Sequence, residues 1–423
     1  MSRKPYEWDG QDIIEAHSLA KHELIHNYIV NYIKTLTSIP AMREIKLTLV
    51  DGFAGGGLYR GHNGQPVFGS PLRMLQAVRE AQAWRQTAIP GPDLAWKIQF
   101  YFVEPNPRAL HLLKTTVADE FGQTFAERHV HYIASTFQEA CPGIVQAVRH
   151  SAKRLQARQG GRAIFFLDQY GYKDLPFPLL RSVLRSLPNA ELVFNFGVDD
   201  LIDYVPREAD STALKNLGLD ANSLIGEDRN HPRWRQLLQS TLAHQLIRQV
   251  GAKTFTPFFI RRDRAHRDYW LVHCANHARA NDVMKQQHWS QANSLINFEH
   301  YGGPGLNMLG FNSKYEEPML FAFKEIDEQR NRDAMMTELL SHGQLDQPVQ
   351  VNQLYAKICN ETPADQGRLQ KALQYLSRER AIEVQGSNGE KRRPGTEPEP
   401  TDVVQRPQQG ILLMAKPTPK STA

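Results

Sequence analysis

The sequence predicts a doubly wound α/β fold: five parallel strands with helices on both faces, completed by an antiparallel closing strand and followed by a smaller helical unit. Three observations predict it. Short apolar runs alternate with amphipathic stretches long enough for helices. The runs that read as strands end in polar groups, at Asp51, Glu104, Ser135-Thr136 and Asp168. A glycine-rich turn, Gly52-Phe53-Ala54-Gly55-Gly56-Gly57, follows the first of these acids at once. Such a turn is where a buried strand delivers the chain to a ligand at the carboxyl edge of the sheet.

The elements follow in order. Leu24, Ile25, Tyr28, Ile29, Tyr32, Ile33 and Leu36 recur at helical spacing and predict a helix over 13–36. The first strand is expected over 45–50. In Gly69-Ser70-Pro71-Leu72, Ser70 is placed to cap a second helix and Pro71 to occupy its first position. The break at Pro90-Gly91-Pro92 precedes a strand over 98–103, a helix over 107–117, a strand over 130–133 and a helix over 138–155. Two further strands are expected over 163–167 and 191–196. Residues 201–250 read as an amphipathic helical insertion over the site. Residues 255–260 and 269–274 read as two antiparallel strands around a turn rich in arginine.

Near residue 330 the composition turns polar. Helices are expected over 333–342, 351–359 and 365–380, and strands over 381–384 and 411–414, an order that matches a winged helix-turn-helix domain. Its wing would be 386–409, rich in Pro, Gly and charge. The predicted organisation is a helical extension over 1–40, the α/β domain over 41–330, the winged helix over 331–416 and a disordered tail over 417–423.

The bulk numbers narrow the class. At 423 residues the chain accommodates two or three domains, and a formal charge of +5 is only mildly basic. Cys141, Cys274 and Cys359 stand far apart, so neither a disulfide framework nor a zinc site is suggested. No apolar run approaches the roughly 20 residues of a membrane span, and the first residues carry no hydrophobic signal core. A soluble cytoplasmic protein is the expectation.

The acid at the end of the first strand bears on the cofactor. A dinucleotide's pyrophosphate would be repelled by Asp51, whereas the sulfonium and amino groups of S-adenosylmethionine (SAM) are cationic. A dinucleotide fold also places its ribose-binding acid roughly 20 residues further on. Glu104 lies much later, past the helix that opens at Ser70. SAM is therefore the expected cofactor, with Asp51, Phe53, Ala54, Gly55 and Gly57 around its methionine part and Glu104 on the ribose. Ser135 and Thr136 read equally as partners of an adenine edge or as a helix N-cap ahead of Gln138 and Glu139. An antiparallel pair after five parallel strands also suits a SAM-dependent methyltransferase better than a nicotinamide dehydrogenase.

Asp168-Gln169-Tyr170-Gly171-Tyr172 ends the fourth strand beside the first. Enzymes that methylate amines of nucleic acids carry a short Asp/Asn-Pro-Pro-aromatic turn here, which accepts hydrogen bonds from the amine and stacks on the base. The acid and the aromatics are present, so Asp168, Tyr170, Tyr172 and Asn195 are the candidate catalytic residues. Gln169 replaces the proline that would stiffen the turn, and a catalytically silent turn is the competing reading. His273, Cys274 and His277 lie on a strand leading into a helix and are read as core residues rather than metal ligands. Arg261 and Arg262 read first as a solvated loop and second as a phosphate grip. Arg378, Arg380, Lys391, Arg392 and Arg393 are the candidate nucleic-acid contacts of the winged helix.

The chain resembles the three-Cys-motif partner (TcmP) proteins. The resemblance rests on Lys21 with Tyr28, Val50-Asp51-Gly52-Phe53-Ala54-Gly55-Gly56-Gly57, Gly69-Ser70-Pro71-Leu72, Phe102-Val103-Glu104, Phe166-Leu167-Asp168 with Gly171, and Phe194-Asn195-Phe196. It spans roughly residues 15 to 280, and the C-terminal part resembles the winged helix that often follows in that family. It implies a class I SAM-dependent methyltransferase fold and a partner protein with a three-cysteine motif that resembles radical-SAM proteins. The family pattern favours Asp-Pro-x-Gly at the fourth strand, where this chain has Asp168-Gln169-Tyr170-Gly171. The sequence therefore leaves two readings: a methyltransferase acting on DNA or RNA, or a non-catalytic SAM-binding or nucleic-acid-binding subunit of a larger complex.

Overall fold

The computed structural model describes residues 7–153, 161–168, 175–196, 234–261, 268–291, 300–301, 303–306, 308 and 320–407. Within them the first helix is α1 (Ala16–Leu36), followed by β1 (Glu44–Asp51) and the hairpin β2 (Leu58–Arg60) and β3 (Pro66–Phe68). Next come α2 (Ser70–Ala88), β4 (Ala95–Val103), α3 (Pro107–Phe121), α4 (Gln123–His129), β5 (Val130–Ile133) and α5 (Phe137–Lys153). The sheet continues with β6 (Ala163–Leu167), α6 (Phe177–Ser186) and β7 (Ala190–Phe196), then α7 (Trp234–Val250), β8 (Thr254–Arg261), β9 (Asp268–Ala275) and α8 (Ala278–Gln291), and the separate pair β10 (His300–Tyr301) and β11 (Leu320–Phe321) follows. Of the expected insertion over 201–250, only α7 falls within the described residues.

The central sheet has seven strands in the order β5-β4-β1-β6-β7-β9-β8. Six run in one direction, and β9 lies antiparallel between β7 and β8. Strand alternation divides the core. Leu47, Leu49, Ile164, Phe166 and Val193 pack on one face with α1, α2, α3 and α8; Val50, Phe165, Leu167, Leu192 and Phe194 pack on the other with α5, α6 and α7. The same alternation sends Asp51, Asp168 and Asn195, at the carboxyl ends of β1, β6 and β7, toward the α1 face.

Three local readings are corrected. Helix α1 begins at Ala16, not Ile13, because residues 12–14 run extended along the hairpin: the Ile14 N–H donates to the Arg60 carbonyl at 2.9 Å and the Arg60 N–H to the Asp12 carbonyl at 2.8 Å. Gly69, not Ser70, holds the N-cap position of α2, and Ser70 is its first helical residue, with a side chain that pulls the Asp51 pKa down. Third, the final strand expected at 411–414 lies outside the described residues; β14 (Val403–Gln405) instead forms inside the stretch read as a wing.

The glycine turn is closed by the protein's own side chains. Gly55 (φ +59°) and Gly57 (φ +70°) hold left-handed conformations that favour glycine. A Cβ on Gly55 would lie 2.6 Å from the Trp8 ring, and one on Gly57 would lie 2.6 Å from Leu113 and 2.7 Å from Leu72. Gly57→Ala is therefore expected to cost about 2 kcal/mol. Urea denaturation would measure it, and an unchanged midpoint would contradict the packing described.

Residues 325–407 gather around a separate apolar cluster that includes Met335, Leu339, Val351, Leu354, Leu369 and Leu373. They supply α9 (Glu325–Ser341), β12 (Val349–Gln350), α10 (Val351–Ile358), α11 (Gln366–Arg378) and β13 (Glu383–Gln385), with β14 central in an antiparallel sheet of order β12-β14-β13. The unit is fastened to α8 and β8. The Asn360 side chain accepts from the Phe255 N–H at 2.8 Å and donates to the Lys253 carbonyl at 2.9 Å; the Trp289 indole donates to the Pro363 carbonyl at 2.9 Å. Asp282 accepts from the Gln366 N–H at 2.8 Å, and the buried Lys285 ammonium donates to the Cys359 carbonyl.

Candidate functional site

The carboxyl edge of the sheet brings Asp51, Glu104, Asp168 and Asn195 together around the glycine turn, with Lys21 and His22 above them from α1. Asp51 is fully buried. Its Oδ1 accepts from the Phe53 N–H at 3.1 Å, while Oδ2 has no hydrogen-bond partner. Burial pushes its pKa up to about 7; the Ser70 hydroxyl and the Phe53 N–H pull it down, and the charges of Asp168 and Glu104 push it up.

Glu104 clamps two pieces of backbone, with Oε2 accepting from the Gly55 N–H at 2.9 Å and Oε1 from the Asn106 N–H at 2.7 Å. It thereby ties the end of β4 to the glycine turn and to the start of α3, while partial burial raises its pKa. Ala54 is buried and its N–H donates to the Val103 carbonyl at 3.0 Å; the Phe53 ring packs on Phe137 with centroids 6.1 Å apart. Phe53 and Ala54 thus hold the turn against the sheet.

Asp168 does not stand open. The Lys21 ammonium donates to both its oxygens, at 2.5 and 2.6 Å, and the Asn195 amide donates to Oδ1 at 3.3 Å. The lysine and aspartate side chains are only 5% and 16% exposed, so solvent screens the pair weakly. Asn195 Oδ1 and His22 Nδ1 are buried without partners. Burial is the main force lowering the His22 pKa to about 4; Asp168 opposes it, while Lys21 and Arg73 add to it, so the ring is neutral at neutral pH.

Of the two hydroxyls at the end of β5, Thr136 behaves as a helix cap. Its N–H and hydroxyl both donate to Glu139 Oε2, at 3.0 and 2.8 Å, and its Oγ accepts from the Glu139 N–H at 3.4 Å. The Ser135 hydroxyl donates to the Thr136 carbonyl at 3.1 Å. Tyr170, Tyr172 and Arg262 lie outside the described residues, and Arg261 is described only as the end of β8. Among the C-terminal cations, the Arg392 guanidinium is clamped on Asp402 at 2.9 and 3.1 Å, and Lys391 pairs with Glu383 at 3.2 Å. Arg378 lies 5.1 Å from the Tyr375 ring centroid, and Arg393 is exposed.

Lys21 and His22 are the site residues that reading for motifs did not assign. Lys21 sits 147 residues from its partner. The available signal was a polar pair, Lys21-His22, interrupting the apolar stripe of an amphipathic helix. Of the three residues read as core, His273 and Cys274 are buried, with His273 Nε2 bonded to Glu191 at 2.9 Å, whereas His277 just before α8 is exposed and its Nε2 meets Asn189 Oδ1 at 3.2 Å.

Comparison with known proteins adds context. No family model matches the chain, and no curated protein matches it. Among solved structures it is similar to protein LPL1258 from Legionella pneumophila, with a TM-score of 0.36 and 10% identity over 63% of this chain and 86% of that one. It is also similar to a SAM-dependent methyltransferase from Agrobacterium tumefaciens, with a TM-score of 0.31 and 10% identity over 62% of this chain and 63% of that one. The bifunctional kinase-methyltransferase WbdD gives a TM-score of 0.33 at 9% identity over 65% of this chain, which spans only 42% of WbdD. Among the described residues, no helix is long and apolar enough to cross a membrane.

Proposed function

We propose that this chain binds SAM and transfers its methyl group to nucleic acid. The observation that carries the reading is Asp51 Oδ2, a buried carboxylate oxygen with no partner at the mouth of the glycine turn. A buried acid held in this way is completed by a cation, and both the ammonium and the sulfonium of SAM are cations. The residues present fit that cofactor. Asp51 and the turn over Phe53, Ala54, Gly55 and Gly57 would hold the methionine part, Glu104 the ribose, and Ser135 the adenine edge. Bound there, SAM supplies a methyl group activated by its sulfonium. The protein's share is alignment and dryness: Asp51 fixes the donor, and Asp168 with Asn195 bounds the space facing it, so that an acceptor is held in line with water kept out.

The C-terminal three helices and three strands support a winged-helix role in nucleic-acid binding. Arg378 and Arg393 are its better-placed cations, because Arg392 and Lys391 are engaged by acids of the same unit. By its resemblance to the TcmP proteins, the chain would act beside a three-Cys-motif protein. One observation favours the non-catalytic alternative: Lys21 and Asn195 already occupy the acceptor positions of Asp168.

Titration calorimetry with SAM, followed by incubation with methyl-labelled SAM, mixed cellular RNA and DNA and the partner protein, separates the readings. Binding with label transfer to nucleic acid is expected. Binding without transfer leaves the non-catalytic subunit, and no binding removes both readings that rest on SAM.

A further inference from the structure

We propose that Lys21 selects the methyl acceptor, and that the acceptor is an acidic ring N–H of a base, a lactam or imide that reacts as its anion, rather than an exocyclic amine. The inference rests on the nucleic-acid methyltransferase reading above and narrows it.

The argument starts from occupied lone pairs. An exocyclic amine is aligned for methylation by hydrogen-bond acceptors, and the acid at the end of β6 is placed to be one. Here Asp168 Oδ1 receives Lys21 and Asn195, and Oδ2 receives Lys21. Donors of the fold itself thus take three of the roughly four lone-pair sites of the carboxylate, both of those on Oδ1 among them. Turning Lys21 away would leave an ammonium buried without a partner, since the residue is only 4% exposed. A different set is left over: Asn195 Oδ1 and His22 Nδ1 are buried without partners, and the Lys21 ammonium has a third N–H beyond the two that Asp168 receives.

A lactam edge presents a carbonyl beside a ring N–H. The ammonium serves the carbonyl, and Asn195 Oδ1 receives the ring N–H. The proton leaves to bulk water as the base enters, before water is shut out, and the anion that remains shares its charge with the carbonyl oxygen, under the ammonium that favours it. The nitrogen lone pair then forms the N–CH3 bond as the CH3–S bond breaks, and its electron pair passes to sulfur. The products are a neutral methylated base and the thioether. The same transfer to a neutral amine would create a new cation facing Lys21. The titratable and charged groups that act on His22 and Asp51 at this edge are Lys21 from α1, Arg73 from α2, Glu104 from the end of β4 and Asp168 from β6. His22, neutral at pH 7, adds no further positive charge to those of Lys21 and Arg73.

The test is product identity. The full chain is incubated at pH 8 with methyl-labelled SAM and, separately, with the four homopolymer RNAs, which are then digested to nucleosides. Label on the ring nitrogen of guanine or uracil, at least tenfold above label on adenine or cytosine, is expected. Label on the exocyclic amines of adenine or cytosine would overturn the inference while leaving the methyltransferase reading intact. Label in no polymer, with SAM bound, overturns the nucleic-acid reading and the inference with it. Lys21→Met is expected to keep SAM affinity within threefold and to move the midpoint of the pH–rate profile upward by a unit or more. Lys21→Arg should restore the profile in part. If Lys21→Met fails to fold, Lys21→Met with Asp168→Asn removes both charges and carries the same expectation. An unshifted profile in either would show a structural role only.

Discussion

Asp51→Asn is expected to abolish SAM binding and, at pH 8, to make the ligand-free protein more stable. The carboxyl is fully buried, with a pKa pushed from 3.8 up to about 7. The folded state therefore holds the proton more tightly than the unfolded chain does. The stability associated with that proton is fully present below pH 4 and is lost as pH rises through 7. A shift of about three units corresponds to roughly 4 kcal/mol by pH 8. Asparagine removes that loss but gives up the charge-assisted bonds from Phe53 and Ser70, so a net gain of about 2 kcal/mol is expected. Urea melts at pH 5 and pH 8 would measure it, and the gap between variant and wild type should narrow sharply at pH 5. In the wild type, SAM affinity should fall about tenfold per pH unit below 7, because a protonated Asp51 cannot pair with a cation. Tight SAM binding by the asparagine variant would sink the assignment of Asp51 to the cofactor.

Glu191→Ala is expected to destabilise the protein by about 4 kcal/mol without touching the site. The Tyr28 hydroxyl donates to Glu191 Oε2, His273 Nε2 meets the same oxygen at 2.9 Å, and Tyr28 and His273 lie 3.2 Å apart. All three residues are buried, and Tyr32 also leans on the carboxylate. Burial is the main reason the Tyr28 and Tyr32 pKa values lie well above the usual phenol range, so both hydroxyls stay protonated and act as donors. Removing the shared acceptor leaves several polar groups unsatisfied at about 1–3 kcal/mol each. Glu191→Gln keeps an acceptor and should cost less than half as much. A change below about 1 kcal/mol for the alanine variant would mean that the network contributes little to stability.

The strands were legible because each is an uninterrupted apolar run closed by a polar residue, and β5 and β6 match their expected limits. Asp51, Glu104 and Asp168 could be read as a set because parallel strands must end at one edge. The hairpin after the glycine turn also carries a signal, Asn63-Gly64, between strands of only three residues each, too short for alternation to show. Two things were not legible. The partner of Asp168 lies on a helix far earlier in the chain, and a lysine in an amphipathic helix gives no sign of which buried acid it will meet. Strand β14 spans only three residues beyond a stretch rich in proline and charge, too short for any period to show. Thr136 illustrates a residue with two equal readings, settled toward the cap by Glu139, one turn on.

Helix α1 meets the sheet at two polar points, Lys21 on Asp168 and Tyr28 on Glu191, seven residues apart. At about 1.5 Å per residue these points stand roughly 10 Å apart along the axis. Sliding the helix by one turn would unseat both at once, so it has one seat and no neighbouring notch. The side chain that faces the incoming acceptor is thus fixed by the same contacts that seal the apolar interior. Substrate preference in this architecture is not free to drift by a rocking of α1; it can be retuned only by exchanging side chains at the rim.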